Sequence, residues 1–385
     1  MKICIIGPQY PWQGGIAKYL DSLGAALANQ ATIGELYYAI DQEKTIEQKF
    51  FKYTIIKWSF HRQYPEIFRR NQFDHSGDVS NCRYDLDLLS PMSWVKSASD
   101  LADCKPDMTI FKYWSPYFAP CFGYLASKLR KSGSKICFMV DNVYPHEYFP
   151  FSKLLAEYCL SNGNLFITHS SKVTKELISL VPTAFVKQIP HPAYDYGKSK
   201  PRYIARKLLG LNPFYNPNFL SKDNKFILFF GYIRPYKGLD TLLHAFAMLQ
   251  GWKEDTMLLV AGEPFEKMDK YKDLASALGI GDKVIWHDYY IPDEQVKLYF
   301  SAADLLVLPY KETTQSGIAE IARSFDLPVI ATDTGALSEQ VKVTIPPNNP
   351  EVLCQAMVRF FTDSVDCGYK QEATTFEDLA KLITS

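Results

Sequence analysis

The sequence has no excess of either charge: 42 Lys and Arg residues stand against 42 Asp and Glu. That balance argues against nucleic acid or another polyanion as the main partner. No apolar run approaches the roughly 18–20 residues needed to cross a bilayer, and the N-terminal "KICII" is too short for a signal-peptide core. The chain is therefore expected to be neither exported nor anchored by a span. Its eight cysteines, at 4, 82, 104, 121, 137, 159, 354 and 367, form no C-x-x-C pair. Several sit in apolar runs such as "KICFMV", which reads as buried, reduced thiols in a cytoplasmic compartment. Familiar catalytic signatures are missing as well. The P-loop pattern G-x-x-x-x-G-K-[ST] does not occur, and the first βα turn lacks G-x-G-x-x-G, which disfavours a kinase-like ATPase and an NAD enzyme. There is no G-x-S-x-G, no H-E-x-x-H and no Cys/His cluster, which counts against a serine hydrolase and a zinc enzyme.

What is present is a globular composition, 47% hydrophobic and 22% charged, with 25 Tyr and 25 Phe making it unusually aromatic. A chain of 385 residues is too long for one ordinary core, so two domains are expected. Strand-like and helical patterns alternate twice, which predicts parallel sheets wrapped by helices. In the first half "KICIIG", "DMTIFKY", "KICFMV" and "NLFITHS" read as strands, with helices after Gly15 and near 118–131, 152–160 and 171–180. In the second half the strands read "KFILFFG", "TMLLVAG", "KVIW", "ADLLVLPY" and "LPVIATD". The fold class is thus α/β, two Rossmann-like domains facing across a cleft. The first covers 1–198, with 368–385 returning to it through a helix near 374–384, and the second covers 199–367. An insertion at about 41–100 fits no regular βα unit, and the "DLD" at 85–87 within it reads as loop polarity. The segment Lys49 to Arg70 mixes basic and aromatic residues. It is open to two readings, peripheral membrane contact or a loop subdomain packed on the N-terminal core.

In open α/β sheets the ligand lies beyond the carboxyl ends of the strands. The loops there carry the informative residues. "PYKETTQSGIAEIARSFDLPVIATD" places Glu312 and Glu320 around a small-residue turn at the mouth of a helix. Glu320 alone could be a helix-capping residue, but Glu312 could not. "FFGYIRPYKGLDTLL" puts Arg234 and Lys237 between a strand and a helix, suited to a diphosphate or else a solvated basic turn. Gly14 and Gly15 precede the first helix, where backbone can approach a ligand closely. Glu263 and the pair His287 and Asp288 follow two further strands and are candidates for a base pocket.

Together these motifs resemble the retaining glycosyltransferases of family four, which have the GT-B fold. The resemblance rests on the Glu312-x-seven-Glu320 pattern, on "FFGYIRPYKGLDTLLHAFAML" and on "PWQGGIAKYLDSL". Segments such as "FMVDNVYPHE", "IPHPAYDYGK", "RQYP" and "YWSPYFAP" resemble a subgroup of the same enzymes. It implies transfer of a sugar from a nucleotide-diphosphate sugar to an acceptor hydroxyl of a glycan, polysaccharide or glycolipid, with retention and with neither metal nor cofactor. By position, Glu320 would hold the ribose and Glu312 a hydroxyl of the donor sugar. Gln315, Ser316, Gly317 and Ile318 would lie against sugar and phosphate, Arg234 and Lys237 would hold the diphosphate, and Gly14 and Gly15 would border donor and acceptor. Two positions depart from the family. Tyr232 stands where its arginine usually follows the loop glycine, and Asp141 stands where a histidine is common, with His146 nearby as a second candidate contact to donor sugar or acceptor. A non-catalytic nucleotide-sugar-binding or scaffold protein of the same fold, or a phosphorylase, are the alternatives.

Overall fold

The computed structural model describes residues 1–8, 15–29, 54–62, 82–144, 150–211, 224–253, 255–314, 316–363 and 365–385, and only the backbone of 54–62 and 82–85. They divide into two units, Met1–Pro190 with Thr374–Ser385, and His191–Ala373. The first unit is built on seven parallel strands. These are β1 (Lys2–Ile6), β2 (Thr54–Arg62), β3 (Cys82–Asp87), β4 (Met108–Tyr113), β5 (Lys135–Val140), β6 (Leu165–Thr168) and β7 (Val186–Gln188), in the spatial order β3-β2-β1-β4-β5-β6-β7. Its helices in chain order are α1 (Gly15–Asn29), α2 (Pro91–Cys104), α3 (Ala119–Lys131), α4 (Ser152–Leu160) and α5 (Ser171–Leu180). Strands buried on both faces must be apolar throughout, and β4 is buried at every position. Phe111, Phe138 and Phe166 sit in register on β4, β5 and β6. Their rings stack at 5.2 and 6.0 Å, which is where part of the aromatic content goes.

The stretch 41–100 proves more regular than its pattern. It supplies β2 and β3, which extend the sheet parallel to β1, and it opens α2. "DLD" at 85–87 is accordingly the end of a strand rather than a loop. Leu86 between the two aspartates is buried, and Asp87 turns the chain into α2 by accepting the Leu89 amide at 2.9 Å and, on its carbonyl, the Trp94 indole at 2.8 Å. Apart from the β2 backbone, the segment Lys49 to Arg70 lies outside the described residues. Among the described residues no helix is long and apolar enough to cross a membrane. The cysteines whose side chains are described are free, and all of these but Cys104 are buried; burial pushes the Cys137 thiol up to about 12, so it is no nucleophile.

The second unit has six parallel strands: β8 (Lys225–Phe230), β9 (Thr256–Ala261), β10 (Val284–His287), β11 (Leu305–Leu308), β12 (Val329–Thr332) and β13 (Val343–Ile345). Their order is β10-β9-β8-β11-β12-β13. The helices are α6 (Arg202–Leu208), α7 (Leu239–Gln250), α8 (Asp269–Ala277), α9 (Asp293–Ala302), α10 (Gly317–Ser324), α11 (Leu337–Gln340) and α12 (Pro350–Asp363). Strand order reverses between β8 and β11, so the loops leaving these two neighbours in the sheet diverge and leave a crevice at their carboxyl ends. The chain ends in α13 (Phe376–Thr384), which packs against α1 in the first unit. Thr375 and Asp378 form its capping box, Phe376 meets the Tyr19 ring edge-on at 5.1 Å, and Lys187 donates to the Leu382 carbonyl at 2.8 Å. Phe376→Ala should cost about 3–5 kcal/mol, as deletion of a buried ring does. Urea unfolding followed by hydrogen exchange should show the loss concentrated in α1 and α13.

Candidate functional site in the second unit

The crevice beside β8 and β11 is drawn tight by glycines. Gly231 ends β8 at φ +98°; a β-carbon there would stand 3.0 Å from the Lys237 Nζ and 3.4 Å from the Ile318 Cδ1. One bare backbone position is thus what lets the loop after β8 meet the start of α10. Gly238, at φ +68°, faces the Pro309 carbonyl so closely that a β-carbon would fall 2.0 Å from its oxygen. The two loops are also tied by hydrogen bonds. Lys311 donates its amide to the Tyr236 carbonyl and its ammonium to Asp240, both at 2.7 Å.

Within this frame Lys237 is 7% exposed, and its ammonium makes no ion pair or hydrogen bond with any described residue. Its Nζ lies 5.4 Å from the centre of the Tyr310 ring. Burial, with the Arg234 charge adding to it, pushes its pKa down to about 7. Arg234 is laid over the Phe265 ring at 4.1 Å, and the Tyr232 ring meets the same Phe265 edge-on at 5.0 Å. Helix α10 begins with Ser316 at its N-cap and no side-chain capping bond, so its first amides are turned toward the crevice with the positive end of the dipole. An uncompensated buried ammonium beside such a helix end is an anion site by construction.

Glu320 lies in the first turn of α10 and is 1% exposed. Its Oε1 accepts the Gln340 Nε2 at 2.9 Å, and its Oε2 is 3.0 Å from the Arg323 Nε. Burial pushes its pKa up to about 7 against the pull of Arg323 and Gln340. Glu312 is exposed, and Ser316, Gly317 and Ile318 follow it into α10, with Gly317 against the rings of His191 and Tyr194. Gln315, Gly14 and His146 lie outside the described residues. Gly15 is the first residue of α1.

The remaining candidates have other occupations. Asp288 is ion-paired to Lys272 of α8 at 2.8 Å, and His287 bonds the Tyr299 hydroxyl at 2.8 Å, its ring stacked on Tyr289. Burial lowers the His287 pKa. Both are thus tied into the β10 edge of this unit and remain partly exposed. Glu263 follows β9, and its carbonyl accepts the Ile233 amide at 2.9 Å. In the first unit, Asp141 does not present its carboxylate as expected. It is buried, 2.6 Å from the ammonium of Lys112, which stands within β4 and lies 3.5 Å from the centre of the Tyr19 ring. A carboxylate leaving a buried strand beside a buried lysine must pair with it, because neither charge is otherwise compensated. Tyr19 in turn bonds the His169 Nε2 at 2.8 Å while His169 Nδ1 meets the Ile189 carbonyl at 2.9 Å. The carbonyl can only accept, so Nδ1 carries the proton. Burial and Lys112 hold this histidine neutral, its pKa pushed down to about 3.

Sequence reasoning missed Lys112, Phe265, Arg323 and Gln340. Lys112 was visible as the one charge inside "TIFKY", and Arg323 as a cation three residues after Glu320 on one helix. Nothing local marked Phe265 or Gln340. The burial of Lys237 has a measurable consequence. A lysine whose folded pKa is depressed loses native stability as pH falls from its ordinary value, 10.5, to about 7. Lys237→Met should therefore raise Tm near pH 7 by at least about 2–4 °C, the shift that 1 kcal/mol produces in a domain of this size, and the gain should shrink toward pH 10 in calorimetric scans.

Residues 214–374 match the family described as glycosyl transferases group 1. Among curated relatives, a D-inositol 3-phosphate glycosyltransferase of Streptomyces bingchenggensis is 29% identical over 191 residues, 46% of this chain and 40% of the relative. Another from Rhodococcus jostii is 32% identical over 159 residues, 39% of this chain and 33% of the relative. The matched region thus spans two-fifths or less of these relatives' length. Among solved structures, a sucrose-phosphate synthase from Thermosynechococcus elongatus superimposes with a TM-score of 0.67 at 18% identity, covering 99% of this chain and 92% of its own. WaaG, a glycosyltransferase involved in lipopolysaccharide biosynthesis, gives 0.63 at 16%, with all of both chains covered. At such identities the likeness speaks for the fold. Residues 214–374 of the second unit thus carry the likeness to the glycosyl transferases group 1 family, on a chain whose two α/β units have the fold of the GT-B glycosyltransferases.

Proposed function

We propose that this chain is a retaining glycosyltransferase that takes a sugar from a nucleotide-diphosphate sugar and passes it to an acceptor hydroxyl of a glycan or lipid-linked sugar. The observation that carries the proposal is the buried Lys237 ammonium, without a counter-ion among the described residues, beside the uncapped start of α10. A diphosphate supplies the missing negative charge to both. Arg234, stacked on Phe265, adds a forked donor for the same group. In this reading Glu320 accepts the ribose hydroxyls, and the exposed Glu312 takes a hydroxyl of the donor sugar. Gly14, Gly15, Gln315, Ser316, Gly317 and Ile318 line donor and acceptor. The sugar is displaced from its own face: the leaving diphosphate accepts the acceptor's proton, while Arg234 and Lys237 stabilise the charge that grows on it. Retention then requires no protein nucleophile, and the two cations meet the charge without a metal.

Removal of either cation should cost about 2.7–4 kcal/mol in the transition state, a hundredfold or more in turnover, for Arg234→Ala and Lys237→Ala alike. Transfer or slow hydrolysis should persist in a chelator, and NMR of the product should show the donor's anomeric configuration. Turnover within a few-fold of wild type in both variants would reduce the loop to an ordinary basic turn. The two glutamates should separate in calorimetric titrations. Glu320→Gln should weaken the intact donor and the free nucleoside diphosphate alike, by about tenfold to a hundredfold. Glu312→Gln should spare the free diphosphate and lower turnover only. Tight diphosphate binding with no transfer to any acceptor would favour a non-catalytic binding protein.

A further inference from the structure

We infer that Arg323 and Gln340 are positioning residues for Glu320, holding its carboxylate ionised and turned so that it can receive two neighbouring hydroxyls. The inference rests on the reading of Glu320 as the ribose acceptor, and it adds the two side chains that make a fully buried carboxylate usable for that purpose. Gln340 comes from α11 and is 4% exposed. Its Nε2 donates to the Glu320 Oε1 at 2.9 Å and reaches the Ser316 carbonyl at 3.5 Å, while its own Oε1 has no partner. Leaving a buried acceptor unpaired costs about 1–3 kcal/mol, so the amide orientation is decided by what it gives Glu320 rather than by its own satisfaction.

Arg323 stands three residues along α10 from Glu320. Its Nε is 3.0 Å from Oε2 without hydrogen-bond alignment, and its Nη2 is 3.3 Å from Oε1. The contact thus combines charge with one long hydrogen bond from Nη2 to Oε1, and it leaves lone pairs of the carboxylate, on Oε2 above all, for other donors. Arg323 cannot swing away, because its guanidinium lies 4.6 Å over the Tyr369 ring and its Nη1 donates to the Gln371 carbonyl. The groups that face Glu320 are therefore Arg323 from its own helix, Gln340 from α11 and Tyr369 from the segment before α13, with Asp326 behind Tyr369. Only Arg323 among them is a cation. Burial alone drives Glu320 toward its protonated form, and Arg323 with Gln340 opposes that, with the balance at about 7. A protonated carboxyl is a poorer acceptor for a diol, so the pair acts on recognition through ionisation as well as direction.

The test is the pH dependence of nucleotide binding. Uridine, adenosine and guanosine 5′-diphosphates are titrated into the wild-type chain, and the tightest is carried forward from pH 6 to pH 9. Affinities are read as ratios to wild type at each pH, so that titration of the phosphates and of Lys237 cancels. Arg323→Gln should weaken binding tenfold or more at pH 7 and recover toward wild type by pH 9, the midpoint moving up by about 1–3 pH units for loss of an adjacent opposite charge. Arg323→Lys should restore most of the wild-type midpoint. Gln340→Met, which keeps the volume and removes the donor, should move the midpoint in the same direction by less, and it serves if Arg323→Gln does not fold. A pH-independent ratio in Arg323→Gln or Gln340→Met, whatever the change in Tm, would overturn the inference and make the network purely structural. Glu320→Gln separates this from the wider reading. If it binds as wild type does, the ribose role itself fails; if it binds weakly while the other variants show flat ratios, only the positioning role fails.

Discussion

All the strands of each sheet run parallel, and that single constraint decides where chemistry can sit. Parallel pairing sends every strand's carboxyl end to the same edge, so Gly231, Glu263, His287 and Pro309 emerge together although nearly eighty residues separate the first from the last. At the β8 and β11 neighbours the crossovers leave in opposite senses, which keeps helices from covering the gap between them. The loops that carry Arg234, Lys237 and Glu312, and the start of α10 that carries Glu320, are the segments that flank it. In the first unit the same rule gathers Lys112, Asp141 and His169 at the ends of β4, β5 and β6.

The charges at this edge are kept out of water in both units, but with opposite settlements. Lys112 and Asp141 answer one another within 2.6 Å, so their burial is compensated inside the fold. Lys237 has no such partner among the described residues, and Glu320 has a cation that gives it one long hydrogen bond, from Nη2 at 3.3 Å, and leaves its Nε unaligned. Each sits near neutrality, the lysine lowered and the glutamate raised, because burial disfavours whichever form is charged. A domain that stabilised itself first would pair or remove such groups. Their retention in a tightly drawn crevice fits a ligand that brings anionic oxygens to one and hydroxyl donors to the other.

Much of the fold was legible because strands buried on both faces cannot hide: "KICFMV", "KFILFFG" and "ADLLVLPY" have no polar alternation, and Gly or polar turns bound them. The stretch 41–100 was not, because β2 owes its place to pairing with β1, and β3 to pairing with β2, and not to any pattern of their own. The loop motifs around Arg234, Lys237, Glu312 and Glu320 could be recognised because each lies within a short window after a strand.

What the sequence determined by itself was the α/β alternation and the residue types available beyond each strand. Whether a given side chain is open or occupied was decided only by tertiary structure. Asp141 and Asp288 read as candidate ligand contacts, and the fold brought Lys112 and Lys272, 29 and 16 residues away, against them. Gln340 has no local mark at all, yet it meets Glu320 from 20 residues away because α10 and α11 follow adjacent strands. Pairing across such distances depends on which strands become neighbours, and a charge is felt only over the few ångströms that this folding closes.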